Sequence, residues 1–362
     1  MNIYNWNYFN PVNVYSNSSF INQLKHIKKH EKTLLLTTNT FKNNGTEASV
    51  AAIFGEKNIV LAEPIGANPE LDKMDDLIDF FKSSSIERIV AIGGGSVIDA
   101  AKILSIGLPT SIRKPLNQFF RLKNNFVWAD SLPVVAIPTT SGTGAEVTPF
   151  ATIWDQHTKN KFSLYDPKIF PDTVILDPLL TLSAPKDIYL YSCLDALSHC
   201  LESLWNLNKS PISQIFSLAG LKLVIENFES ANKSTPDILS RRNMQYASLM
   251  GGLAISNTKT AIAHSISYPL TLNFNVPHGL ACSFSLKNII DLYLQRNENI
   301  EFKEELIKAK NLLVKLNLNE RLASYLNKVQ LYALKDQMID QSRAANFDCI
   351  NFRDIDLARI LD

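Results

Sequence analysis

The sequence predicts two unlike halves, an α/β half built on a parallel sheet and then an all-α half. Three observations carry this. Up to about residue 178, short apolar runs alternate with amphipathic stretches, the pattern of strands joined by crossover helices. One run, Arg88–Leu104 (RIVAIGGGSVIDAAKIL), passes from an apolar strand through three glycines and a serine into a helix. From Leu179 onward, long segments carry apolar residues at three-and-four spacing and strand signals become few. A chain of 362 residues also exceeds what one core usually serves. The domains are therefore placed at 1–178 and 179–362.

In chain order, the strands of the first half are expected at Thr33–Thr38, Asn58–Ala62, Arg88–Ile92 and Val134–Ile137. Leu71–Lys82 has helical periodicity, with Leu71, Met74, Leu77, Ile78 and Phe81 on one side. In GGGS, Gly94, Gly95 and Ser96 let the backbone approach an anion at a helix N-terminus, whose free N–H groups and dipole favour negative charge. This is a diphosphate cradle in form, although the spacing is not GxGxxG. The stretch Leu132–Asp155 ends a strand at Pro138 and then crowds Thr139, Thr140, Ser141 and Thr143 round two glycines, which suits hydrogen bonds to phosphate and ribose. Phe150–Trp154, Lys161–Leu164 and Thr173–Leu176 read as strands of a small β region. Helices follow at Ile188–Trp205, Pro211–Phe228 and Ser240–Ile255.

The helical half holds the candidate chemistry. LDALSHCLES supplies Asp195 and His199, four apart and so stacked on one helix face. His264 and His278 follow in the otherwise apolar stretch Gly251–Phe284. One carboxylate and three imidazoles make a ligand set for a single divalent metal, Fe2+ or Zn2+. The other four-apart histidine pair, His26 and His30, sits among lysines in Lys25–Lys32 and reads as a solvated helix end. Cys193, Cys200, Cys282 and Cys349 show no CxxC spacing and read as reduced thiols packed as small hydrophobes.

Composition bounds the function classes. A net charge of +1 gives no case for nucleic acid or a membrane surface. The N-terminus lacks the basic segment and apolar core of a signal peptide, and no apolar run approaches the ~18 residues of a membrane span. A cytoplasmic enzyme is expected.

GGGSVIDAAK, IPTTSGTGAEVTPF, LDALSHCLES and HSISYPLTLNFNVPHG, in that order and spacing, resemble the iron-containing (group III) alcohol dehydrogenase family over essentially the whole chain. The resemblance implies an N-terminal α/β domain that binds NAD(P)H and a C-terminal helical domain that holds the metal, in a fold shared with dehydroquinate synthase, and it suggests a homodimer. It places Asp195, His199, His264 and His278 on the family's metal ligands and Gly94, Gly95 and Ser96 on its diphosphate loop. Thr139, Thr140, Thr148, Lys161 and Asn68 match cofactor-contacting positions.

Three departures from the family pattern bear on specificity. Thr38 stands where many members carry an Asp that binds the adenosine ribose, which removes the repulsion toward a 2′-phosphate and opens the site to NADP. Tyr268 replaces a second histidine placed to relay a proton, raising the unperturbed pKa there from ~6.5 to ~10. Lys259 interrupts a stretch that is small or apolar in most relatives. A lysine there is costly to bury without an anionic partner, so it is expected as the counter-charge for an anionic head group. FATIWD, KFSLYDP, DALSHCLESLWN and NTKTAIAHSISYPLT are similar to the branch that reduces phosphonoacetaldehyde to 2-hydroxyethylphosphonate. A general primary-alcohol dehydrogenase of the family and a dehydroquinate synthase-like lyase are the alternatives.

Overall fold

The structure, a computed structural model, describes residues 5–16, 19–27, 31–297 and 300–361. The chain divides into two compact units, an α/β unit (Asn10–Thr140 with Ala145–Ala184) and a helical unit (Pro185–Asp362 with Ser141–Gly144 and Met1–Phe9).

Among the described residues the α/β unit carries eight strands: β1 (Asn13–Ser16), β2 (Thr33–Leu36), β3 (Ile59–Leu61), β4 (Arg88–Gly93), β5 (Val134–Pro138), β6 (Phe150–Asp155), β7 (Asn160–Tyr165) and β8 (Thr173–Leu176). Six form one sheet in the order β1-β8-β5-β4-β2-β3, and every pairing in it is parallel. Parallel strands covered on both faces read as continuous apolar runs. Leu34–Leu36, Ile89–Ile92 and Val134–Ile137 are accordingly buried throughout. β6 and β7 make a separate antiparallel hairpin.

Two assignments differ from the sequence expectation. Thr173–Leu176 is not part of the small β region: as β8 it joins the main sheet, pairing with β5 and with β1. A four-residue apolar run says nothing about which neighbour it will find. β1 (NVYS) was not anticipated, because it is exposed along its whole length and so lacks an apolar run.

Helix α1 (Leu71–Phe81) buries Leu71, Met74, Ile78 and Phe81 as its periodicity predicts, while Leu77, expected on the same side, is half-buried. It also buries Asp75, whose carboxylate accepts the N–H groups of Leu116 and Asn117, both at 2.9 Å. Helix α2 (Gly95–Gly107) follows β4 directly. The basic run expected as a solvated helix end follows the short helix Phe20–Leu24. His26 is exposed in the turn after it, and His30 lies outside the described residues.

In the helical unit, α3 (Lys186–Leu204), α4 (Pro211–Ala231) and α5 (Ile238–Thr258) pack on one another. α6 (Ile262–Phe274), α7 (His278–Ser283) and the short α8 (Gln341–Ala344) complete the part that matters here. Ser141–Gly144 threads into this unit through two glycines. A Cβ on Gly142 would stand 2.4 Å from the Ser192 carbonyl oxygen, and one on Gly144, where φ is +59°, 2.4 Å from the Gly252 Cα. Only glycine fits a backbone-to-backbone approach of that kind. Among the described residues, no helix is long and apolar enough to cross a membrane.

Candidate functional site

α3 presents Asp195, His199 and Glu202 at i, i+4 and i+7, one stripe of the helix, and all three are buried. α6 contributes His264 in its first turn, and His278 opens α7 immediately after Pro277. The Nε2 atoms of His199, His264 and His278 lie 3.5, 3.4 and 3.8 Å from one oxygen, Asp195 Oδ1. These separations are long for hydrogen bonds. They match the ~3.4 Å edge expected between donors held ~2.1 Å from one tetrahedral ion. His264 Nε2 is buried with no hydrogen bond, and the His199 and His264 rings stack at 4.8 Å. One orphaned imidazole nitrogen, with two more converging on the same carboxylate, fits a divalent metal.

Two contacts set which ring nitrogens face that carboxylate. His199 Nδ1 lies 3.1 Å from the Gly142 carbonyl oxygen, and His264 Nδ1 lies 2.5 Å from Glu202 Oε2. Each donates its Nδ1–H there and leaves Nε2 for a cation. Glu202 went unread in the sequence, although its place seven residues after Asp195 was a legible signal.

Cys282 is a second addition. Its Sγ lies 3.5 Å from Asp195 Oδ1, and its donor atom falls with those of Asp195, His264 and His278 within 4.8 Å of one another. Burial pushes the Cys282 thiol well up, with Asp195 and Glu202 adding to the shift. The thiol therefore keeps its proton and donates to the carboxylate. Burial would raise Asp195, but the three imidazoles outweigh it and hold its carboxyl well below the usual range. Burial lowers His199, against the pull of the Asp195 carboxylate.

In the α/β unit the cofactor candidates gather at the carboxyl ends of the parallel strands. β3 lies to one side of β2 and β4 to the other, so the chain reverses its direction of sheet growth between β2 and β4. Ligands of open α/β sheets bind outside such a switch point. Thr38 follows β2, is half-buried, and begins a short helix without spending its hydroxyl on a capping bond. Gly94 and Gly95 open α2 after β4. The Asn68 N–H donates to Ser96 Oγ at 3.2 Å, from a left-handed backbone with φ +58°. A Cβ on Gly94 would come within 3.3 Å of Thr140 Oγ1, and the Thr139 N–H bonds the Gly93 carbonyl at 3.0 Å. Thr148 lies on the segment before β6, and Lys161 lies on β7. Thr148 is buried with its hydroxyl accepting from Lys102 Nζ at 3.2 Å, and Lys161 lies over the Trp154 ring.

Lys259 and Tyr268 flank His264. Lys259 is exposed rather than buried, which corrects the premise of a desolvated lysine. It caps α5 with φ 63° and ψ 178°, a region that essentially only glycine occupies, at a cost of about 1–3 kcal/mol. Asn206 Nδ2 donates to its carbonyl at 3.1 Å and holds the turn. Burial raises the Tyr268 phenol above its ordinary value, so near neutrality it acts as a hydrogen-bonding hydroxyl and does not ionise.

Residues 11–178 match the iron-containing alcohol dehydrogenase family, and residues 189–352 match the C-terminal domain of the Fe-containing alcohol dehydrogenase family. The chain belongs to the iron-containing alcohol dehydrogenase family. It is 34% identical over 216 residues to the sulfoacetaldehyde reductase of Bilophila wadsworthia, covering 60% of this chain and 55% of that one. It is 35% identical over 204 residues to the phosphonoacetaldehyde reductase of Streptomyces viridochromogenes, covering 56% and 52%. The matched stretches thus span about half the length of these two relatives. The fold is that of the Bifidobacterium kashiwanohense sulfoacetaldehyde reductase in complex with NAD+, with a TM-score of 0.88, 22% identity and coverage of 99% and 97%.

Proposed function

We propose that this chain is a metal-dependent, NAD(P)H-linked reductase of a small anionic aldehyde, with phosphonoacetaldehyde as the favoured substrate and 2-hydroxyethylphosphonate as the product. The observation that carries the anionic class is Lys259, a cation held in a glycine conformation five residues before a metal-binding histidine. A strained backbone kept by its surroundings points to use, and the two curated relatives above are named for aldehydes with an anionic head group.

In this reading Asp195, His199, His264 and His278 hold one divalent ion, Fe2+ or Zn2+, and Gly94, Gly95 and Ser96 receive the cofactor diphosphate. When bound, these two groups supply Lewis acidity at the carbonyl oxygen and the hydride. Glu202 and Gly142 keep the imidazoles in the tautomer a cation needs. Thr38 faces the adenosine ribose with a neutral hydroxyl and admits either NADH or NADPH. Lys259 draws the head group to the mouth of the metal stretch and orients the aldehyde. Tyr268 orders the path by which a proton reaches the product oxygen.

The test is elemental analysis of the purified protein, then NADH and NADPH consumption with phosphonoacetaldehyde, sulfoacetaldehyde and propanal. Faster turnover of the dianionic aldehyde supports the assignment. Preference for the sulfonate moves the substrate within the class. Propanal reduced best of the three sinks the anionic reading, and no net consumption of the cofactor would point to the lyase alternative.

A further inference from the structure

Beside the Lys259 turn lies a second cation, from a part of the sequence that carries no motif. Arg343, on α8, is half-buried, and its Nη1 donates to Thr260 Oγ1 at 3.0 Å. Among the described residues no carboxylate lies within ion-pair distance of its guanidinium. A guanidinium has five N–H donors in a planar fork, so the Thr260 bond leaves most of them for something else.

The surroundings hold this group in place. Asn346 Nδ2, one turn on, donates to the Thr260 carbonyl at 2.9 Å. Asn208 Nδ2 reaches both Asn346 Oδ1, at 3.3 Å, and the Thr258 carbonyl, at 3.4 Å. Ser265, next to His264, donates to the Met338 carbonyl at 2.6 Å and accepts the Asp340 N–H at 2.7 Å, which ties the start of α8 to the metal-bearing helix α6. The Tyr268 phenol lies near enough to Thr260 and to the Arg343 charge for both to pull against the rise that burial gives it. Arg343, Thr260 and Tyr268 therefore form one connected set, one helical turn from His264.

We infer that Arg343 is the specificity-determining residue for the substrate's anionic end, its fork donating to two oxygens of a tetrahedral oxyanion one carbon removed from the aldehyde. A planar, always-charged fork suits bidentate oxyanion recognition better than the exposed Lys259 does. Lys259 then attracts and Arg343 fixes. The inference rests on the anionic-aldehyde reading and names the residue that would enforce it.

The test compares wild type, Arg343→Met and Arg343→Lys on phosphonoacetaldehyde, sulfoacetaldehyde and propanal, with metal content and melting temperature followed alongside. Arg343→Met is expected to lower kcat/KM for both anionic aldehydes by roughly 30- to 1,000-fold. Most of the loss should fall in KM, because the contact exists in ground and transition states alike. Propanal reduction and metal content should hold, and Arg343→Lys should recover part of the loss. An equal fall for propanal, or a parallel fall in metal content, would overturn the inference and make Arg343 a clamp on the turn. Titration of phosphonoacetate and sulfoacetate by calorimetry separates this from the parent reading. Should wild type prefer propanal, the substrate class fails, yet weaker binding of these anions to Arg343→Met than to wild type still supports Arg343 as the oxyanion residue. Equal binding to both proteins, or none to wild type, overturns it.

Discussion

Glu202 accepts three hydrogen bonds with two oxygens: Oε2 from His264 Nδ1 at 2.5 Å, and Oε1 from the Ala263 N–H at 2.6 Å and the His264 N–H at 3.3 Å. A group that must accept at both ends has no neutral isostere. In Glu202→Gln, either the amide NH2 faces His264 Nδ1 and drives the ring proton to Nε2, or it faces two backbone N–H donors. The first orientation blocks the nitrogen turned toward Asp195, and the second leaves buried donors opposed. Glu202→Gln should therefore weaken metal retention by roughly 10- to 100-fold, measured by competition with a chromogenic chelator. Full metal affinity in this variant would show that the carboxylate serves packing alone.

Asp195→Ala and His278→Ala remove donors outright. Both should purify without stoichiometric metal, with the α/β unit still folded. Limited proteolysis and elemental analysis read the two effects separately. Full metal content in either variant would remove that residue from the ligand set.

Much of this was legible in the sequence for reasons that differ by residue. The helix at Leu71–Phe81 and the strand–turn–helix at Arg88–Gly107 are local, because periodicity and glycine spacing specify them without any partner. Asp195 and His199 share a helix face by geometry alone. The place of β8 in the sheet depends on which strand it meets, and nothing within TVIL encodes that. Arg343 was invisible for the same reason: it reaches Thr260 across 83 residues, inside a segment with no pattern of its own. The apolar neighbours of Lys259 suggest a partly desolvated setting for its charge. A helix ends there, and the C-cap turns that one side chain out to solvent.

That C-cap supports a stability prediction. Lys259→Gly removes a Cβ from a glycine-only conformation, which should recover about 1–3 kcal/mol of strain, less the ~0.4–1 kcal/mol that glycine adds to the unfolded chain's freedom. The melting temperature of the helical unit should rise by roughly 2–4 °C, while kcat/KM for anionic aldehydes falls only about 2- to 5-fold, as suits an exposed charge. Lys259→Ala should lose activity in the same way without the gain in stability. A lower melting temperature for the glycine variant would mean that the lysine side chain holds the turn.

Thr38→Asp addresses the cofactor. Thr38 starts its helix without using its hydroxyl, so a carboxylate can replace it without removing a cap. It would accept from both ribose hydroxyls and repel a 2′-phosphate. The ratio of kcat/KM for NADH over NADPH should rise by at least roughly tenfold, the effect of about 1.4 kcal/mol. An unchanged ratio would place the ribose elsewhere.

Acid should weaken the α/β unit through one buried carboxylate, Asp155. Arg121 forks onto two carboxylates: Nε and Nη2 donate to Asp155 at 2.8 and 2.7 Å, and Nη1 and Nη2 donate to Asp72 at 2.6 and 2.8 Å. The Asp155 side chain has no exposure, and Thr158 Oγ1 donates to it at 2.7 Å. Hydrogen bonds from Arg121, opposed by burial and helped by Thr158, hold the Asp155 carboxyl well below the usual carboxylate range. In the unfolded chain this carboxyl takes up its proton near pH 3.9. Below that the unfolded state binds more protons than the folded one, so the contribution of Asp155 is complete above about pH 4 and drains away as the solution is acidified further. Asp155→Asn should cost about 1–3 kcal/mol at neutral pH, because Arg121 keeps Asp72 but loses the charge of its covered partner. It should also flatten the fall in stability of the α/β unit below pH 4. Urea unfolding of both proteins at pH 7 and pH 3 checks this: the gap between them should narrow at the lower pH. A gap of constant size would mean that Asp155 acts through its hydrogen-bonding shape and not through its charge.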